Sequence, residues 1–410
     1  MSEQKYSFIL PHLGKLQNLA KWPNADVATM ALVTELIPKL CGVPYDLIYR
    51  DDPTAMAECS LLVHEFLGVD IMVGNLDAYN FEAEAMGAKM RFYEDRCPDI
   101  DRSNYFINGW EDLDKIRFRG LDTGRLPYLI DYTMKYIEYT GIPSFPAFSA
   151  PWTLASNLYG LDNLVFATIE DPEFVHELLN RIVDDFHIPM FAALKEKLPY
   201  MSQMFVADAF ASIPMVTIDI IEEFIKPSVE RLVAGVCTKG EPFVNTAFFG
   251  HSKLKNKEDL KRFEDFVVYC NSAFFCTDPD VAILTPEYAR KRADDYLVPL
   301  QSGVGAPVIE FGTKEEIVEK VKHYTLAGKR GLTPMTFFFN NIPANSPVEN
   351  IQVAIQTVSI YGAPGADENT PYVDPDFITF EDFLRHKMAD NPEGYKFEWL
   401  KKSRLAFLAE

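Results

Sequence analysis

Short apolar runs recur along the chain at 69–73, 144–148, 204–208, 243–249, 273–276, 298–301 and 335–339, and polar residues close each of them. An unbroken apolar run of this length, without polar alternation, is what a strand covered on both faces requires. Between the runs, the stretches 172–195, 218–236 and 314–327 carry apolar residues at helical spacing. Strand alternating with helix predicts an α/β protein with a parallel sheet and right-handed crossovers. The pattern supplies seven convincing strands. An eighth is ambiguous: 88–93 reads either as a strand or as part of a hairpin excursion between 78 and 140.

Residues 1–65 read as mostly helical. Trp22-Pro23-Asn24-Ala25-Asp26 opens one segment at helical spacing, and Asp52-Pro53-Thr54 opens another with a capping residue. Pattern alone also allows an open doubly wound sheet. No glycine-rich turn follows the first run, which counts against a dinucleotide-binding version of that architecture.

Composition narrows the function classes. A chain of 410 residues with 48% hydrophobic content can bury a large core, and no low-complexity linker or fixed-period repeat divides it. The net charge of −21 excludes a nucleic-acid partner, which needs clustered Lys and Arg. No apolar run reaches membrane-spanning length and the first residues form no signal pattern. Six cysteines in so long a chain form no disulfide framework, so a cytoplasmic setting is expected.

Several segments, in order, resemble the uroporphyrinogen decarboxylase superfamily. Asp70 and the stretch from Asp77-Ala78-Tyr79-Asn80 to Ala88 resemble its first barrel strand and the acidic loop beyond. Ser149-Ala150-Pro151-Trp152-Thr153-Leu154-Ala155 is similar to its GPFTLA turn. Gln301-Ser302-Gly303-Val304, Phe311-Gly312-Thr313 and the stretch from Asn340-Asn341-Ile342-Pro343 to Asn350 are similar to its closing motifs. The resemblance implies a distorted TIM-type (β/α)8 barrel over 66–410, an N-terminal helical extension over 1–65 packed on it, and a pocket at the carboxyl ends of the strands.

The superfamily holds two chemistries. Its decarboxylases carry an N-terminal arginine loop for propionate carboxylates, but the corresponding region here, Leu19-Ala20-Lys21-Trp22-Pro23-Asn24, has no arginine. Its methyltransferases exchange methyl groups with a corrinoid on a separate protein, and some read their zinc site as His-x-Cys. Here that strand reads Asn245-Thr246-Ala247-Phe248-Phe249-Gly250, without the motif. Asp278-Pro279-Asp280-Val281 with Gly303-Val304-Gly305-Ala306 resembles the substrate-side enzymes of bacterial O-demethylase systems. The function this implies is methyl transfer from a small methylated aromatic donor to cobalamin on a partner corrinoid protein; a homodimer is compatible with it. A lyase acting on a small aromatic acid, and a non-catalytic barrel that binds a tetrapyrrole or corrinoid protein, are the alternatives.

Candidate site residues follow from strand-end positions. Asp77, His251 and Asp208 are candidate catalytic groups: Asp77 is the counterpart of the family's catalytic aspartate, and all three equally suit capping or core roles. Asn75, Tyr79, Trp152, Gln301, Asn340 and Asn341 are candidate substrate contacts, with Phe248 and Phe338 as further pocket aromatics. His251, Cys276 and Asp208 would form a three-ligand zinc site if they converge, although Cys276 alone reads as packing. Two motifs are discarded: Asp185-Phe186-His187 lacks the glycine of a corrinoid-binding signature, and Gly303-Val304-Gly305 lacks the third glycine of a dinucleotide loop.

Overall fold

A computed structural model of the chain describes residues 15, 18–72, 77, 79–141, 146–198, 204–237, 243–246 and 248–409. Its parallel strands are β1 (Ala28–Ala31), β2 (Ile71–Met72), β3 (Ala147–Ser149), β4 (Met204–Ala207), β5 (Phe243–Thr246), β6 (Phe274–Phe275), β7 (Leu300–Ser302) and β8 (Met335–Phe339). A five-stranded sheet runs β2-β1-β8-β7-β6 and a three-stranded sheet runs β3-β4-β5. Joined end to end, the two place eight strands in chain order around a ring, which is the TIM-type (β/α)8 barrel. The distortion lies at two seams, β2–β3 and β5–β6, where the described residues form no ladder.

The barrel begins earlier than the pattern predicts. β1 lies inside the supposed helical extension and pairs with β8 (Met30 opposite Phe338) and with β2 (Met30 opposite Ile71). A boundary at 65/66 therefore cuts through one barrel, and the run at 69–73 contributes the second strand, not the first. Four residues, one of them polar, leave too short a signal to separate β1 from a helix. Thr29 belongs there because it has a buried partner: its N–H and hydroxyl both donate to Asp70 Oδ2, at 2.7 and 2.8 Å. The ambiguous run at 88–93 is the hairpin, with Met90–Arg91 antiparallel to Asp99–Ile100.

Register sorts the two faces of the sheet. Met335 and Leu300 approach Gly328 on the helix Lys314–Lys329, and Phe274 stacks on Tyr296 of the helix Pro286–Tyr296, so these positions face outward. The alternate positions Met30, Ile71, Phe275, Gln301, Thr336 and Phe338 face the lumen. Among them Met30, Ile71, Gln301 and Thr336 are partly exposed, whereas the outward set is buried beneath helices. The barrel interior is thus partly open. Among the described residues no helix is long and apolar enough to cross a membrane, and no cysteine forms a disulfide.

Candidate active site

Asp77 follows β2 and is buried at the mouth of the barrel. Asn80 donates to its Oδ1 and Arg125 donates to its Oδ2. Arg125 is itself buried, and it also donates to Glu84 Oε2 at 2.6 Å and to the Tyr49 carbonyl at 2.8 Å. The rings of Phe81 and Phe92 lie 4.6 and 4.9 Å from its guanidinium carbon. Gly124 delivers it: at φ +52 a Cβ would sit 2.9 Å from the Ala85 nitrogen, so only glycine lets this turn approach the helix Phe81–Met86. Burial pushes the Asp77 carboxyl up to about 6, although Arg125 and Asn80 pull the other way.

Glu82, fully buried on that same helix, spans the β2–β3 seam. The Ala150 N–H points to β4, donating to the Ala207 carbonyl at 2.9 Å, so the Ser149 N–H points the opposite way, toward β2. Glu82 Oε1 accepts that N–H, which has no ladder partner among the described residues. Its Oε2 has no hydrogen-bond partner. Burial, with the negative Asp77 nearby, pushes Glu82 up to about 8 against the pull of backbone N–H groups. Glu82 is a neutral acid at neutral pH.

Asp208 follows β4 and caps a helix it does not belong to. The helix Pro151–Tyr159 starts at Ala150 without a side-chain cap of its own. Asp208 Oδ1 instead accepts the Thr153 N–H at 2.9 Å and its hydroxyl at 2.7 Å. Its Oδ2 is buried without a partner, and burial carries its carboxyl up to about 7. Between these acids lies Tyr79, at φ +84, a conformation that costs a tyrosine roughly 1–3 kcal/mol. Asn157 holds it there, donating to the Tyr79 carbonyl at 2.6 Å. Burial, then Asp208 and Glu82, push the Tyr79 phenol up to about 12. Asp77, Tyr79 and Asp208 thus gather around one site, and the sequence reading passed over Glu82, Arg125 and Thr153.

The remaining candidates divide. Gln301 faces the lumen, its amide nitrogen 3.0 Å from Met30 Sδ. Asn340 continues the lumen face of β8, bridged to Gly305, whereas Asn341 is exposed at φ +45 and serves the turn. Trp152 is fully buried and Phe248 packs on Phe266 of the helix Lys257–Asn271, so neither lines an open pocket. Phe338 does face the lumen. Asn75 lies outside the described residues.

The proposed metal triad does not assemble. His251 is fully buried between Phe263 and the outward-facing Phe274, at 4.9 and 5.6 Å, with Nδ1 3.6 Å from Asp280. Asp280 also accepts from Gly250 N (2.7 Å), Ser252 N (2.9 Å) and Ser252 Oγ (2.6 Å). Burial opposes ionisation, but His251, Ser252 and Gly250 together hold Asp280 well below the usual carboxylate range. Cys276 is buried beside the negative charges of Asp280 and Glu264, with its thiol pushed up by burial. Glu264 is the partner of Arg292, on the helix side. Strand alternation sent Cys276 to the helix-facing layer, the turn after Gly250 packed His251 there on Phe263 and Phe274, and Asp208 turned to Thr153. Among the described residues no three His, Cys, Asp or Glu side chains are grouped to hold a metal, so these residues do not fit a zinc ion.

The family model described as uroporphyrinogen decarboxylase matches residues 47–361. A methylated-thiol–coenzyme M methyltransferase of Methanosarcina mazei is 26% identical over 211 residues, 50% of this chain and 54% of that protein. The chain therefore spans about half the length of the curated relative it matches. A solved structure, a methyltransferase from Methanosarcina mazei, aligns with a TM-score of 0.64 over 85% of this chain and 98% of that one; at 16% identity it shows the fold.

Proposed function

We propose, from the premise that the chain belongs to the uroporphyrinogen decarboxylase family, that it is a methyltransferase: it moves a methyl group from a small donor, an aryl methyl ether, to cob(I)alamin on a separate corrinoid protein. The observation that carries the reading is the similarity to a methyltransferase over half the chain. The cytoplasm is the compartment that fits a reduced cobalt centre.

The corrinoid of the partner supplies the nucleophile. This chain has to orient the donor, exclude water and provide a proton for the leaving oxygen. Supporting this are the buried acids at about 6, 7 and 8, which span neutral pH. A partly open lumen, with Gln301 and Asn340 as amide contacts, suits a small ring. Against porphyrinogen decarboxylation stands the region 19–26, which offers Lys21 but no arginine for a substrate rich in carboxylates.

The test is purified protein mixed with a corrinoid protein encoded beside it, its cobalt reduced, and a panel of methoxyarenes. Methylcobalamin and free phenol should appear together, read in the corrinoid absorbance bands, and neither should appear without the partner. If methoxyarenes, methylamines and methyl thiols all fail, the methyltransferase reading is lost and a lyase acting on a small aromatic acid takes its place.

A further inference from the structure

The geometry points to Glu82 as the proton donor to the departing oxygen, with Asp77 as the cation-paired neighbour that Arg125 holds; this assignment rests on the methyl-transfer reading above. The two carboxyls lie five residues apart in sequence, at the mouth of the same barrel, yet have opposite surroundings. Asp77 has a guanidinium and an amide. Glu82 has no cation among its described contacts: one oxygen takes the Ser149 N–H and the other takes nothing. The nearby cation, Arg125, is already divided between Asp77 and Glu84. Where one of two buried acids has a cation beside it and the other has none, the paired one ionises more readily and the unpaired one keeps its proton to higher pH, which is how one site separates charged and acidic roles.

The other titratable groups around Glu82 reinforce this. Asp77 on the preceding loop raises it, and Tyr79, which is itself raised by both Glu82 and Asp208, supplies no positive charge. Glu84 on the same helix shares Arg125 with Asp77. The Ser149 bond fixes the carboxyl in rotation while Oε2 stays buried without a hydrogen bond, and the strained Tyr79 beside it marks the spot where the fold tolerates cost. In the reaction the donor's C–O bond breaks with its electron pair staying on oxygen. The carbon bonds to the partner's cobalt(I), which is oxidised by two electrons. The Glu82 proton moves to the phenolate oxygen, and the carboxylate left behind is reprotonated from water.

Two measurements test the assignment independently. Infrared difference spectra of the whole protein at pH 7 should contain a protonated-carboxyl C=O band that is lost in Glu82→Gln, whether or not any methyl donor has been identified. Absence of that band in the wild type overturns the proposal even if methyl transfer is found. In single-turnover transfer, Glu82→Gln should slow a methoxyarene by about a hundred- to ten-thousand-fold. It should spare a methylsulfonium donor, whose thioether leaves without needing a proton, and Glu82→Asp should recover part of the ether rate. Equal slowing of both donors, or no slowing of either, means that Glu82 serves structure and not proton transfer.

Discussion

Replacing Arg125 by methionine removes a buried charge while keeping most of the side-chain volume, so the cavity cost is small. What is lost is the pair with Asp77, the 2.6 Å bond to Glu84 and the 2.8 Å bond to the Tyr49 carbonyl. The larger consequence is that Asp77, 4% exposed, stays buried without its cation. Breaking a buried pair from one side costs about 3–5 kcal/mol, and the retained volume points to about 4 kcal/mol. Equilibrium urea unfolding at pH 7 reads this as a lower midpoint at unchanged slope. Adding Asp77→Asn removes the stranded charge, so the double variant should recover about 2 kcal/mol of the loss, the coupling expected of residues in contact. The penalty of the single variant should also shrink as pH falls toward 6, because Asp77 without its cation takes up a proton at higher pH than the paired carboxyl does. A loss under about 1 kcal/mol, or a double variant that costs the sum of the singles, would refute the view that Arg125 neutralises Asp77.

Asp77, Asp208 and Glu82 carry folded pKa values of about 6, 7 and 8, all above the roughly 4 of an unfolded carboxyl. The folded chain then binds more protons than the unfolded one across that window. Their contribution is complete below about pH 4 and is lost as pH rises through 6 to 8; urea midpoints should fall accordingly, and Glu82→Gln should flatten the segment above pH 7. Gly303→Ala, just past the end of β7, would drive a Cβ into the Phe338 carbonyl of β8; soluble yield should collapse, and a normal yield would mean that the strands can separate. His251→Gln should lower stability by about 1–3 kcal/mol by replacing a ring packed between Phe263 and Phe274 with a buried amide, leaving metal content and the pH profile of transfer unchanged. A metal atom present in wild type and missing in this variant would return His251 to a ligand role.

Much of the architecture was legible because its signal is local. Runs such as 335–339 are apolar because β8 is covered on both faces, and the intervening periodicity marks the crossover helices, so local pattern is enough to specify a parallel α/β chain. The motifs in family order added the barrel and placed Asp77, Gln301 and Asn340 at strand ends, while the apolar run 204–208 placed Asp208. β1 escaped because four residues carry too little periodicity, and its identity depends on partners more than 40 and 300 positions away, Asp70 and Phe338.

Tertiary structure alone decided which strand-end residues meet. Side chains alternate between lumen and helix layer, so one step of register separates Gln301, turned inward, from Phe274 and the His251 packed on it. Glu82 looked like one more acid on a short helix, and only the β2–β3 seam, without a ladder among the described residues, brings the Ser149 N–H to it. Arg125 stands 48 positions from Asp77, with nothing local to pair them. Charge states follow the same rule: composition counts carboxyls, but burial and the reach of one guanidinium decide which of them keeps its proton.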